Sequence, residues 1–375
     1  MSELKLKDRH LALRGTVGTF LGAEAILEYE DGWESEYGAV RVAIGVAERT
    51  DLDIIRLWGK DPVRMLNGLV TNDILDAGPD RAVYASMLTP KGRTITDLRA
   101  IVRPGAGAAS PDVLLVLPHA ALDAVTGHLR KYLPPHFARW EVRTDLTILG
   151  LYGRKAAKIT GTLLGTAPDP TEDAVTDGHY RERPVLALAT HFAGGEDGFD
   201  VLVEDDVAPT AWSESVDQAL ALSGRPLGMN ALEVLRVEAG RARFGIDMTE
   251  DTIPAEAFLS TGQMERAVSF TKGCYTGQEV VVRIAHRGHV NRHLRGLVLS
   301  DGTEVESGAP VMRPDDGKEV GRVTSTVASP LARAPIALAY LRREIKPGAL
   351  VSVNGCEGRV VDLPFEEGIR FELPE

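Results

Sequence analysis

The sequence predicts an α+β protein in two parts, a larger mixed body followed by a small antiparallel β-barrel. Three observations carry this. Helical and strand-like segments mix through the first part of the chain without the regular alternation of a parallel α/β sheet. From about His293 onward the pattern is strands and turns alone. Within that tail, Asn354-Gly355 is a tight-hairpin signal. The expected domains are residues 1–285, read as two interleaved subdomains, and residues 290–375, the barrel, with the basic segment joining them.

In chain order, residues 40–47 and 54–57 read as strands, being short and rich in β-formers. Asp61-Pro62 pairs a capping residue with a first-turn proline and opens a helix over 63–69. Residues 103–112, rich in glycine, alanine and proline, read as a loop before the strand 113–117. Leu122, Val125, Leu129 and Leu133 recur at helical spacing until Pro134-Pro135 stops them. Strands follow at 146–151, 184–190 and 199–203, and the acidic, proline-containing stretch 166–183 reads as a loop. Trp212, Val216 and Leu220 mark a helix closed by Gly224, and 231–239 a further one ended by Gly240. The tail strands are 294–299, 311–313, 318–326, 336–341, 350–353 and 357–361.

Composition narrows the function. A hydrophobic share of 44% over 375 residues is ordinary for a globular protein with a good core. No apolar run is long enough to span a bilayer, and the N-terminus lacks the pattern of a signal peptide. Two cysteines far apart make no disulfide framework, so a reducing cytoplasm is the expected location. A net charge of −12 argues against broad nucleic-acid binding, while leaving room for a local basic patch that takes a small anion. A monomer is expected.

Such a patch exists. Lys272-Gly273-Cys274-Tyr275-Thr276-Gly277-Gln278-Glu279 is followed by Arg283, His286, Arg287, His289, Arg292, His293 and Arg295. Cys274 sits between small residues beside a lysine, and nearby positive charge favours the reactive thiolate. Two readings stand for it, a functional thiol and a buried small hydrophobe; Cys356, in the hairpin, reads as structural. The spacing of His286, His289 and His293 suits a metal only on a helix. Gly288 and the β-rich flanks argue against one, so the segment reads as a solvated basic linker and no metal is expected. Residues 194–200, glycine- and aspartate-rich, read as a turn into the strand after them. Residues 235–247 read as an exposed helix end with capping arginines. No dinucleotide or triphosphate loop and no nucleophile elbow is present.

Several of these segments resemble one family. Lys272 to Glu279 is similar to the K-G-C-[YF]-x-G-Q-E signature of the folate-binding YgfZ family, paralogues of the T-protein (aminomethyltransferase) of the glycine cleavage system, whose mitochondrial relatives are iron–sulfur cluster assembly factors. Residues 66–73 resemble the early Q-x-x-x-N-D helix end, and 84–93 the Y-x-x-x-L-x-P-K-G-R segment. Residues 235–247 with 254–257 resemble L-R-x-E-x-G-x-P-x-x-G-x-D…P-x-E-A, and 321–340 the T-protein barrel. The resemblance implies a glycine cleavage T-protein-like folate-binding body with a ferredoxin-like portion and a C-terminal barrel.

It also implies roles. Tetrahydrofolate, or a one-carbon form of it, is the expected cofactor. Glu196 would accept from the pterin edge, where a carboxylate meets two donors. Tyr84 would pack on the flat pterin, and Arg236 would meet the anionic glutamate tail. Arg283 is a further expected cofactor-binding residue and helper of the Cys274 thiolate, together with Lys272. The family's paired aspartates are here Thr96-Asp97, so Asp97 is the surviving candidate general base. The function expected first is an accessory protein for iron–sulfur cluster assembly or repair, working through Cys274 on assembly proteins or client enzymes. The alternative is a folate-dependent aminomethyl or C1 transferase using Asp97.

Overall fold

The computed structural model describes residues 3–105, 110–191, 197–258, 262–300 and 305–368, and of residues 285–287 the backbone alone. Two sheets build the body. One has five antiparallel strands in the order Ala82–Leu88, Thr94–Arg103, Asp112–Pro118, Leu52–Gly59 and Ala138–Val142. The other has six, ordered Val175–Tyr180, Arg183–Ala189, Gly198–Glu204, Leu146–Tyr152, Gly45–Glu48 and Arg225–Pro226, with only the last pair parallel. All of the first sheet is inserted in sequence between Gly45–Glu48 and Leu146–Tyr152, which pair directly.

The sheets share a buried layer. Ile54, Ile101 and Val116 of one join Ile148, Leu186, Leu188 and Leu202 of the other in a single apolar cluster. Burying each such side chain contributes about 1.5–3 kcal/mol, which fixes the sheets against each other.

The C-terminal part is a closed six-stranded barrel, Arg292–Leu299, Ala334–Arg342, Glu319–Ser329, Pro310–Met312, Leu350–Val353 and Cys356–Val361 in spatial order. Closure leaves no edge to manage. The last hairpin turns at Asn354 and Gly355, both with positive φ (52° and 83°), as a two-residue hairpin of this kind requires. The helix Met229–Glu238 joins barrel to body. Eight of its ten residues are buried, and Val237 sits among Leu294, Ile336, Leu338 and Phe365.

The expected α+β body and antiparallel barrel are what the chain forms. The differences have local causes. Residues 40–47 are not one strand: a helix Trp33–Val42 runs into the strand Gly45–Glu48. Acidic residues Glu34 and Glu36 in the first turn favour the helix dipole, and Tyr37 and Val40 give it a buried face. The loop 166–183 contains the edge strand Val175–Tyr180, whose alternation of half-exposed polar residues hides it from a hydrophobic pattern. The basic linker is helical in its first half, Gln278–Arg287, so His289 and His293 lie beyond the helix that carries His286.

Candidate functional site

Adjacent strand residues face opposite sides of a sheet, so only one of Thr96 and Asp97 reaches any given cavity. Thr96 is fully buried, and Asp97 turns into a cavity between the two sheets and the segment 241–244. Tyr84 lies diagonally across the strand pair from Asp97, within reach of a long side chain. Its hydroxyl donates to Asp97 Oδ2 at 2.9 Å. Asp97 Oδ1, shut off from solvent, has no partner among the described residues. A carboxylate oxygen left dry and unpaired is costly, and burial pushes the Asp97 carboxyl above its usual range. Burial, with Asp97 beside it, also holds the Tyr84 phenol protonated.

Arginines frame this pair. The Arg99 and Arg266 guanidiniums lie 5.4 Å and 4.8 Å from the Tyr84 ring centre. On the opposite wall Arg49 pairs with Asp51 at 2.7 Å and contacts Tyr152 and Asp200. Burial raises Asp51, but Arg49 and Arg243 outweigh it and hold the carboxyl at about 2. The cavity is thus walled by ion pairs, and among the described residues Asp97 presents a buried carboxylate oxygen to it without a partner.

Arg236 is placed differently from its expected role. It is 1% exposed, and its five N–H groups are all engaged by the chain itself. Nε and one Nη2 hydrogen go to Glu233, at 3.1 and 2.8 Å. Nη1 donates to the Arg241 carbonyl and Asp247, both at 2.6 Å, and Nη2 also to Ser325 Oγ of the barrel at 2.8 Å. No donor is left for a glutamate tail. Arg236 is a buried pin between helix and barrel, and Arg243, 8% exposed, ties Glu233 of the helix to Asp51 of the body, so the two are not an exposed capping pair.

Lys272 is likewise spent. Its ammonium donates within 2.6 to 3.0 Å to the carbonyls of Asn67, Val70 and Asn72 and to Asn67 Oδ1. Burial pulls it down to about 8. It therefore does not assist Cys274, which is exposed and, among the described residues, has no hydrogen bond or ion pair at its sulfur. The rest of the octapeptide packs. Tyr275 is buried, and Thr276 N–H donates to Gly68 O at 3.0 Å. Gly277 has φ 82°, and a side chain there would come within 2.6 Å of Thr89 O. Arg283 is exposed on the helix that follows. Neither Cys274 nor Arg283 lines the cavity. Glu196 lies outside the described residues, as does the His286 side chain.

Sequence reasoning reached Tyr84 and Asp97 but not Arg49, Asp51, Arg99, Asp200 or Gln263, which share the cavity. These come from four separate stretches of chain, and no local pattern links them. Arg241 and Arg243 carried a signal, two arginines just past the glycine stop at Gly240.

A mixed body with a buried carboxylate in a cavity between its sheets, pinned to a closed barrel, defines a two-part fold with a candidate site inside the body. The family model of the GCVT N-terminal domain matches residues 6–272, and that of the glycine cleavage T-protein C-terminal barrel domain matches residues 292–365. The chain belongs to the glycine cleavage T-protein family. An aminomethyltransferase of Parafrankia sp. (strain EAN1pec) is 30% identical over 96% of both chains, and that of Thermotoga maritima 28% identical over the full length of both. The crystal structure of glycine cleavage system aminomethyltransferase T from Bartonella henselae superposes with a TM-score of 0.83 at 21% identity, covering 99% of each chain, and shows the same fold. Tetrahydrofolate is the cofactor of this family. The expected iron–sulfur assembly role is overturned: full-length relatives are aminomethyltransferases, and the lysine expected to activate Cys274 is committed elsewhere. No helix among the described residues is long and apolar enough to cross a membrane.

Proposed function

We propose that this chain is a folate-dependent aminomethyltransferase of the glycine cleavage type, with Asp97 as its acid–base group. In the octapeptide that carries its likeness to the YgfZ proteins, Lys272 and Tyr275 are buried and Cys274 lies exposed, away from the cavity. The observation that carries the reading is Asp97 Oδ1, buried and, among the described residues, unpaired beside a phenol that fixes the other oxygen. Such a carboxylate suits a ligand that brings an N–H, and Tyr84 on the same cavity gives a flat ring an aromatic neighbour. Bound tetrahydrofolate supplies ring nitrogens able to accept a one-carbon unit. The chain's own work is to orient that ring, keep water out and hold or release a proton at Asp97 Oδ1. A transfer needs a donor as well as an acceptor. The cavity shares Arg49 and Leu52 with one cleft, and Arg241 and Gln263 with another, so it has neighbours on two sides.

The test is formation of methylene-tetrahydrofolate from a protein-bound or free aminomethyl donor. Turnover that requires tetrahydrofolate supports the reading, and its absence with folded protein and both substrates bound overturns it.

A further inference from the structure

A second cleft opens beside the Asp97 cavity, with Arg241 and Gln263 common to both. At the shared wall three guanidiniums converge on two carboxylates. Asp173 takes Arg99 at 2.9 Å and Arg266 at 2.8 Å. Glu172 takes Arg266 at 2.9 Å, Arg241 at 3.0 Å and Arg99 at 3.8 Å, with His191 at 3.7 Å.

Within ion-pair distance among the described residues, three arginines share two carboxylates at this wall, and Asp97 and Asp200 act on Arg99 from further off. Arg241 is the least supplied of the three. Asp173 holds both Arg99 and Arg266 directly, whereas among the described residues the Arg241 guanidinium pairs with Glu172 alone. Burial, with the neighbouring Arg99 and Arg266, lowers the proton affinity of Arg241 despite Glu172. Glu172 itself stands in the irregular segment before the edge strand and keeps 21% of its side-chain surface exposed, so it can turn out to solvent without unmaking a sheet. Arg99 and Arg266, which reach Glu172, are the same two guanidiniums stacked on the Tyr84 ring. The anion site therefore begins directly beside the proposed ring position.

We propose that Arg241, backed by Arg99 and Arg266, anchors a carboxylate of the glutamate tail of the folate bound over Tyr84, and that Glu172 is an internal carboxylate occupying that place until the tail displaces it. The inference rests on the folate reading above and names the group that Arg236, fully engaged, does not serve. It makes Glu172 a built-in competitor, so removing its charge strengthens binding, where loss of a merely structural ion pair weakens it.

The experiment is calorimetric titration of tetrahydrofolate, and of 6-methyltetrahydropterin as the ring without the tail, into wild type, Glu172→Gln and Arg241→Gln, with thermal melting to show that each is folded. Glu172→Gln is expected to tighten tetrahydrofolate about three- to tenfold and Arg241→Gln to weaken it about tenfold, the scale of one charge-assisted hydrogen bond. Neither is expected to alter binding of the tailless ring. Tetrahydrofolate binding that is unchanged or weakened in folded Glu172→Gln overturns this inference alone. Failure of wild type to bind either ligand overturns the folate reading and this inference with it.

Discussion

The octapeptide around Cys274 and the cavity around Asp97 both bury an ionisable group, and they do opposite things with it. Lys272 meets four oxygens and has no hydrogen left to give. Asp97 meets one hydroxyl and keeps a buried oxygen idle. A saturated charge is a fastener, whereas an unsaturated one is held in a costly state that the fold must support and that a ligand can relieve. The conspicuous motif is thus the seam of the molecule. It ties Asn67, Val70 and Asn72 to the start of a helix, and Asn72 in turn donates to Tyr84 O at 3.0 Å and Arg266 O at 2.8 Å. The seam positions the site without entering it.

The sharpest way to break this contrast is Asp97→Asn. Loss of a positioned acid–base group costs about 10²–10⁴ in turnover, with folate still bound. In the wild type the acid limb of kcat/KM should lie above the ordinary aspartate range, because burial raises the folded pKa and the base is lost sooner as pH falls. The same shift means the folded state holds this proton when the unfolded chain has released it. Asp97 therefore contributes stability below the unfolded value that declines as pH rises through the folded one. A limb that persists unchanged in Asp97→Asn assigns the titration elsewhere.

Next in size is Arg236→Met, which takes from buried Asp247 and from Glu233 one of their two arginine contacts and should cost about 3–5 kcal/mol in denaturant unfolding. If its role were tail binding instead, stability would hold and only folate affinity would fall. Lys272→Met removes the donor for three carbonyls and is expected to destabilise by about 2–3 kcal/mol, visible as a lowered midpoint of urea unfolding. A Lys272→Met protein of unchanged stability would remove the fastener reading. Cys274→Ser should be smallest, within about 0.5 kcal/mol and without effect on transfer, since the thiol is exposed and touches no part of the cavity. A large loss of turnover there would return the cysteine to the chemistry.

The barrel was legible almost strand for strand, because closed antiparallel strands alternate inward and outward residues and punctuate themselves with turns. The body was less so. Gly45–Glu48 lies between strands drawn from far along the chain, and Val175–Tyr180 hides as a polar edge. Tyr84 and Asp97 were readable because they sit on one hairpin and match a family segment. Lys272 and Arg236 misled for a common reason: a motif names a charged residue but not the oxygens that will surround it.

The sequence by itself determined the fold class and the kinship to the T-protein family, though not the YgfZ assignment, and it picked out two residues of the cavity, since periodicity and local motifs are written in neighbouring residues. Only the tertiary structure decided which charges remain usable. Satisfaction of a buried donor or acceptor depends on partners such as Asn67 against Lys272, Ser325 against Arg236 and Glu172 against Arg241, which are remote in sequence and meet only when the chain is folded.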